Sequence, residues 1–169
     1  MENNNDIIFI DPHFIKWKDR IYRCSIGFAG INKLKQEGDG VTPSGIFNLL
    51  NVYYRYDRVN KPETILNCIK LKPNYFWCDD PKSINYNRLV RNRDIYSSEH
   101  LFRTDEFYDI LVEISHNSNP IIKGKGSAIF IHCTSNTYPS TEGCLGLLKQ
   151  DLLKILKELN VSSRLIIIK

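Results

Sequence analysis

The chain has 169 residues, 42% hydrophobic and 25% charged, the length and mix of one globular domain that can bury about 70% of its unfolded surface without a metal or disulfide. Disorder, collagen and coiled coil are excluded by composition, and no apolar run reaches the roughly 18 residues that a membrane helix needs. The 23 Lys and Arg against 19 Asp and Glu leave +4, a weaker and less clustered excess than a dedicated nucleic-acid domain carries, so neither nucleic acid nor membrane is an expected partner.

The opening MENNNDIIFIDPH has no basic stretch leading into a long apolar one, so no export signal is expected. DIIFI (6–10) reads as the first strand, followed by RIYRCSIGF (20–28), GIFNLLNVYYR (45–55) and TILNCIKL (64–71). FYDILVEIS (107–115), SAIFIHC (127–133) and the terminal RLIIIK continue the series. Each is rich in Ile, Val, Phe or Tyr and bounded by Gly, Pro, Asn or Asp. Residues 73–105 differ: they carry Trp77, Asp79, Asp80, Tyr86, Asn87, Arg88, Arg91, Arg93 and Glu99 with weak periodicity. They are expected to form an ordered but irregular, substrate-facing insertion in a single domain spanning 1–169. One helix is predicted at about 147–159, with Leu148, Leu152, Ile155, Leu156 and Leu159 on one side, Gln150, Lys154 and Lys157 on the other, and Asn160 as the stop. The fold class is mainly β with one packed C-terminal helix.

The strongest chemical signal is FIHCTSNTYPSTEGCLGLL (130–148). Strand alternation puts Ala128, Phe130 and His132 on one face and Ile129, Ile131 and Cys133 on the other. The Ser, Thr, Asn and Pro content of TSNTYPSTE marks a loop that can return Cys144 to His132. A thiolate is the nucleophilic form of cysteine and an imidazole can take its proton, while Gly143 permits a tight turn with backbone N–H groups facing a developing oxyanion. Read alone, a lone Cys is most often a small buried hydrophobe and a strand His is most often packed; Cys133, pointing away from His132, is expected to be core. The five cysteines, Cys24, Cys68, Cys78, Cys133 and Cys144, are odd in number without CxxC spacing, so reduced thiols are expected. Cys78, His132 and Cys144 have zinc-ligand chemistry but lack the close pairs of most structural sites, so no metal and no cofactor is expected. His13, His100 and His116 read as surface or structural residues.

A second signal is EGDGVTPSGIF (37–47). It lacks the Gly-Lys-Ser/Thr of a P-loop, and a strand follows where a dinucleotide fingerprint needs a helix. Together, Gly38, Asp39, Thr42, Pro43, Gly45 and Phe47, with His132 and then Thr141, Glu142, Gly143 and Cys144, resemble the catalytic domain of the L,D-transpeptidase family, the YkuD type, from roughly Ile21 to the C-terminus. WCDDPKSINYNRLV, with Glu99, Tyr108-Asp109 and GKGSAIFIH, looks like a compact bacterial branch, some of whose members lack export signals.

The resemblance implies a β-sandwich of mixed strands, with the cleft at one end, Cys144 as nucleophile, His132 as base and Gly143 at the oxyanion. A backbone carbonyl or Ser127 would orient the His132 ring. The implied partner is a peptidoglycan stem peptide or muropeptide, cut between its diamino acid and terminal D-alanine, with the acyl group passing to an amine or to water. A monomer is expected, cytoplasmic if this N-terminus is native and otherwise periplasmic or in the cell envelope. Two departures stand out: Cys133 replaces a common Gly, and Gly146 replaces a common Arg expected to hold a substrate carboxylate. Arg55, Arg88 and Arg91 are candidates to supply that cation. Trp77, Tyr86 and Tyr138 read as cleft wall or ordinary packing, and Thr141 as a substrate contact. A papain-like peptidase is disfavoured by the order His before Cys. The rival from another class is a non-catalytic peptidoglycan- or anion-binding module of the same fold.

Overall fold

The computed structural model describes residues 5–10, 13–93 and 95–168. Residues 1–4, part of the opening read for an export signal, Asp94 within the predicted insertion, and Lys169 at the end of the last predicted strand lie outside the described residues. Strands β1 (Ile7–Ile10), β2 (Phe14–Trp17) and β3 (Arg20–Arg23) form an antiparallel meander, and β4 (Ile31–Asn32) pairs in parallel with β5 (Thr42–Pro43). They are followed by β6 (Gly45–Tyr54), β7 (Asn67–Lys70), β8 (Tyr75–Cys78), β9 (Leu89–Arg91) and β10 (Ser98–His100). The chain continues through β11 (Ile110–Ile114), β12 (Phe130–Thr134), β13 (Leu145–Leu148), helix α1 (Lys149–Glu158) and β14 (Arg164–Ile167).

Strand β6 organises the molecule. Its first four residues pair with β14, and its second half is flanked by β11 on one edge and β7 on the other. The full path runs β13-β12-β11-β6-β14-β1-β2-β3, with parallel pairs at β12/β13 and β1/β14. Its two ends meet: Ser25, two residues past β3, exchanges backbone hydrogen bonds of 2.8 and 3.0 Å with Gly146 on β13. The result is the mixed β-sandwich with one short helix that the resemblance implied.

Alternation sorts the strand residues into two cores. Val52, Ile110, Val112, Ile131 and Cys133 face the first, between the sandwich layers and closed by Leu152, Ile155 and Leu156 of α1. Tyr53, Leu111 and Phe130 face the second, with Trp77, Leu101, Tyr108 and Cys144. The second core lies under a separate three-stranded sheet, β10-β8-β9.

The segment expected to be irregular therefore contains a sheet of its own. Its strands have three or four residues each, too short for a period of two to register in the sequence. Strand β2 was not anticipated, and β3 stops at Arg23, short of the predicted 28. The helix starts at Lys149 because Leu147 and Leu148 belong to β13, an apolar run that periodicity alone cannot separate from a helix start. No helix among the described residues is long and apolar enough to cross a membrane.

Candidate active site

The loop 135–144 ends in a turn that requires glycine. Gly143 has φ of 140°, and a Cβ there would lie 2.8 Å from the Val41 carbonyl oxygen and 3.1 Å from Ile129 Cδ1. Thr141 pins the turn from within: its Oγ1 donates to the Cys144 carbonyl at 2.7 Å and accepts from Gly143 N–H at 3.1 Å. It also ties the turn to the N-terminal segment, since Thr141 N–H donates to Ile26 O and Phe28 N–H donates to Thr141 O, both at 2.9 Å. The Gly143 amide is thus already engaged, whereas the Cys144 amide has no such partner among the described residues.

Parallel pairing sets Cys144 near His132. His132 lies opposite Gly146, and Ile131 opposite Leu145. Cys144 Sγ accepts from Phe130 N–H at 3.3 Å and donates to the Ala128 carbonyl at 3.2 Å. Thiol and imidazole thus stand one two-residue repeat apart on neighbouring strands and line the same cleft.

Both groups are nearly enclosed, each 7% exposed. Burial pushes the Cys144 thiol up to about 12; the Glu99 charge adds to this, and the Phe130 N–H and Lys35 oppose it. Burial pulls His132 down to about 4. His132 Nδ1 lies 2.7 Å from the Cys133 carbonyl, which can only accept, so Nδ1 carries the proton and Nε2 the lone pair. The imidazole packs edge-on against Tyr108 at 5.4 Å. Sγ is bonded to the Ala128 carbonyl, not to the imidazole. At rest the cleft holds a neutral thiol and a neutral imidazole whose Nε2 keeps its lone pair.

The cleft has a volume of about 630 Å³. Of the residues singled out from sequence, Cys144, His132 and Thr141 line it, and Gly143 borders it. Trp77 lies beneath, buried edge-on against Phe130 and Tyr53, with Nε1 donating to Asn87 Oδ1 at 2.9 Å. Tyr86 is buried and donates to Glu37, which does line the cleft. Tyr138 stacks under the Arg23 guanidinium at 4.7 Å, one residue before the wall residue Pro139. Arg55 is buried away from the cleft, bidentate on Asp57 at 2.8 and 2.7 Å and 3.6 Å over Phe102. Arg88 is exposed on the insertion, and Arg91 is exposed over Tyr75 at 5.9 Å.

The cations in the cleft wall are instead Lys35 and Arg103. Lys35, 4% exposed along its side chain, is paired with Asp39, and Arg103 with Asp105 at 2.7 Å. Lys35 sits just before the Gly-Asp-Gly turn in a polar run that reads as surface, and only its i,i+4 spacing to Asp39 hints at pairing. Gly146, where the resemblance leads one to expect an Arg, is tightly flanked: a Cβ there would lie 3.0 Å from Thr134 Cβ and 3.1 Å from Ser25 Cβ, so either neighbour would have to give. The four carboxylates of the wall, Glu37, Asp79, Glu99 and Glu142, also went unassigned from sequence. No group of three His, Cys, Asp or Glu among the described residues is placed to hold a metal ion, so the zinc alternative finds no ligand set.

A family model of the L,D-transpeptidase catalytic domain, YkuD, matches residues 13–168. No curated protein and no solved structure matches the chain.

Proposed function

The chain belongs to the L,D-transpeptidase (YkuD) catalytic domain family, and from that premise we propose that it cleaves the bond between the diamino acid and the terminal D-alanine of peptidoglycan stem tetrapeptides through a thioester on Cys144. The observation that carries this reading is the thiol and the free Nε2 lone pair on paired strands facing one cleft, with the imidazole fixed by the Cys133 carbonyl. The thiol attacks the carbonyl carbon of the diamino acid while its proton passes to His132 Nε2. Because both groups rest neutral, proton transfer accompanies attack; no thiolate is stored beforehand. The Cys144 amide is the backbone donor for the oxyanion, with the Lys35 ammonium nearby. The amine of D-alanine leaves with the proton held by His132, and the thioester remains.

An acceptor then frees Cys144. A second stem's side-chain amine gives a 3-3 cross-link, and water gives a tripeptide. In the cytoplasm the substrates would be recycled muropeptides and water the acceptor; in the envelope, cross-linking becomes available. One observation favours the second reading, a binding module: the thiol is held protonated and hydrogen-bonded to Ala128 O.

The test is incubation of the wild type and a Cys144→Ala variant with a disaccharide-tetrapeptide, followed by mass spectrometry of protein and products. Release of D-alanine and an acyl-enzyme mass in the wild type alone are expected. Tripeptide as the sole product identifies hydrolysis, and a cross-linked dimer identifies transpeptidation. An unchanged substrate with no acyl-enzyme would hand the case to the binding module.

A further inference from the structure

One wall of the cleft holds two buried polar atoms without partners. Asp79 Oδ1 and Ser127 Oγ are both shielded from solvent, and neither meets hydrogen-bond geometry with a partner among the described residues; the Tyr86 hydroxyl, within electrostatic reach of Ser127, is given to Glu37. Both residues line the cleft, and Ser127 is only 6% exposed. Enclosed polar atoms are almost always paired in a folded protein, because leaving them bare is costly. An unpaired carboxylate oxygen and an unpaired hydroxyl in the wall of one cleft therefore mark a place for a ligand.

Glu99 completes the group. In the small insertion sheet Glu99 is paired with Trp77, and Ser98 with Cys78, so Asp79 and Glu99 emerge from neighbouring strands on the same side of the cleft. Glu99 accepts a hydrogen bond from Tyr108 and has Arg103 at 3.9 Å. Burial, together with the Asp79 charge, pushes the Glu99 carboxyl up to about 7, as befits acids that lack a full counter-ion. The cleft's own cations are chiefly committed elsewhere: Lys35 is held by Asp39, and Arg103, at the edge of ion-pair distance from Glu99, is bidentate on Asp105. No ion pair among the described residues includes Asp79, Glu37 or Glu142.

We propose that Asp79, Glu99 and Ser127 form a subsite for a primary ammonium group of the substrate, which under the proposed function is the free side-chain amine of the diamino acid. An alkylammonium carries three N–H donors and no acceptor, matching a wall that offers oxygens from Asp79, Glu99 and Ser127. It also carries the charge the wall lacks. Ser127 directly precedes Ala128, whose carbonyl holds the nucleophile's thiol, so the subsite adjoins the reacting centre. The diamino acid supplies the attacked carbonyl, so its side chain departs from the neighbouring atom and can reach this wall. A substrate whose amine is already acylated offers no charge and would leave Asp79 bare.

The experiment uses two stem tetrapeptides with meso-diaminopimelate at the third position, one with the side-chain amine free and one with it N-acetylated. With wild type, kcat/KM for D-alanine release should fall roughly tenfold to a hundredfold on acetylation, the usual range for losing a charged hydrogen bond in an enclosed site. Asp79→Asn and Ser127→Ala should each lower the rate on the free amine and shrink the preference for it, with Ser127→Ala as the smaller change least able to disturb folding. Equal turnover of both peptides would overturn the subsite and leave the proposed function standing. If neither peptide is turned over, the same pair is titrated calorimetrically against the Cys144→Ala protein. Tighter binding of the free amine supports the subsite. Equal binding, or none, overturns it.

Discussion

At the scale of single residues, the site is set by burial more than by partner charges. The Cys144 thiol, pushed up to about 12, should react with iodoacetamide slowly at neutral pH and faster with each step toward pH 9, without a plateau. A plateau near pH 7, followed by mass spectrometry of the Cys144 peptide, would instead reveal a stored thiolate–imidazolium pair. His132 and Glu99 pull stability in opposite directions. His132 is lowered from 6.5 to about 4, so the unfolded chain binds more protons between those values; that contribution is complete above pH 6.5 and falls as pH drops toward 4, by roughly 3 kcal/mol. Glu99 is raised from 4.5 to about 7, so its contribution is complete below pH 4.5 and is lost as pH rises through 7. Glu99→Gln should therefore gain stability over wild type at pH 8 relative to pH 4, on the order of 2 kcal/mol after allowance for its partial exposure, read from urea midpoints. Asp79→Asn should at least retain wild-type stability, because it relieves the repulsion between Asp79 and Glu99 with a side chain of the same shape; a carboxylate placed for packing alone would lose stability on that change. The meeting of Cys144 and His132 in one cleft was legible in the sequence because a Gly-Cys turn after a strand-terminal His is a local pattern. Asp79 and Ser127 were not, because nothing in Asp-Asp-Pro or Gly-Ser-Ala tells which oxygen will be buried without a partner.

At the scale of elements, the insertion is a working part of the site through Asn87. Its Oδ1 accepts from Trp77 Nε1 at 2.9 Å and from Ala128 N–H at 3.1 Å, and its Nδ2 donates to the Asn117 carbonyl at 2.8 Å. Asn87 and Ala128 both have positive φ, 56° and 52°, a conformation that asparagine tolerates better than most residues. One side chain thus joins β8, the turn after residue 115 and the residue whose carbonyl holds the thiol. Asn87→Ala strands a buried indole N–H and a backbone N–H together, and should cost on the order of 3 kcal/mol in urea unfolding. D-alanine release should fall as well, since Ala128 is left unanchored. The long strands and the helix were visible as runs and stripes of apolar residues. The short sheet of the insertion was not, since Trp77 reads as packing or as cleft wall from sequence alone, and only its place in the second core decides between them.

At the scale of the whole molecule, the path of strands is closed by the Ser25–Gly146 bridge, and the nucleophile turn is fastened across that closure by Thr141 to Ile26 and Phe28. Pairings between residues so distant in sequence leave no local trace, which is why the closing seam escaped a reading by segment while the strands that meet there did not. Gly146→Ala tests the seam. The added methyl must displace Ser25 or Thr134, so a loss of about 1–3 kcal/mol is expected in urea unfolding, together with reduced activity. Gly146→Arg should be worse on both counts and should not restore the family's commoner pattern. The same seam also sets a schedule. Residues 25–28 leave the ribosome long before Thr141 and Gly146, so during synthesis the early strand waits unzipped for its later partner. The turn that carries Cys144 is therefore fastened only after both sides of the seam have been made, and the cleft takes shape with the late contacts of folding.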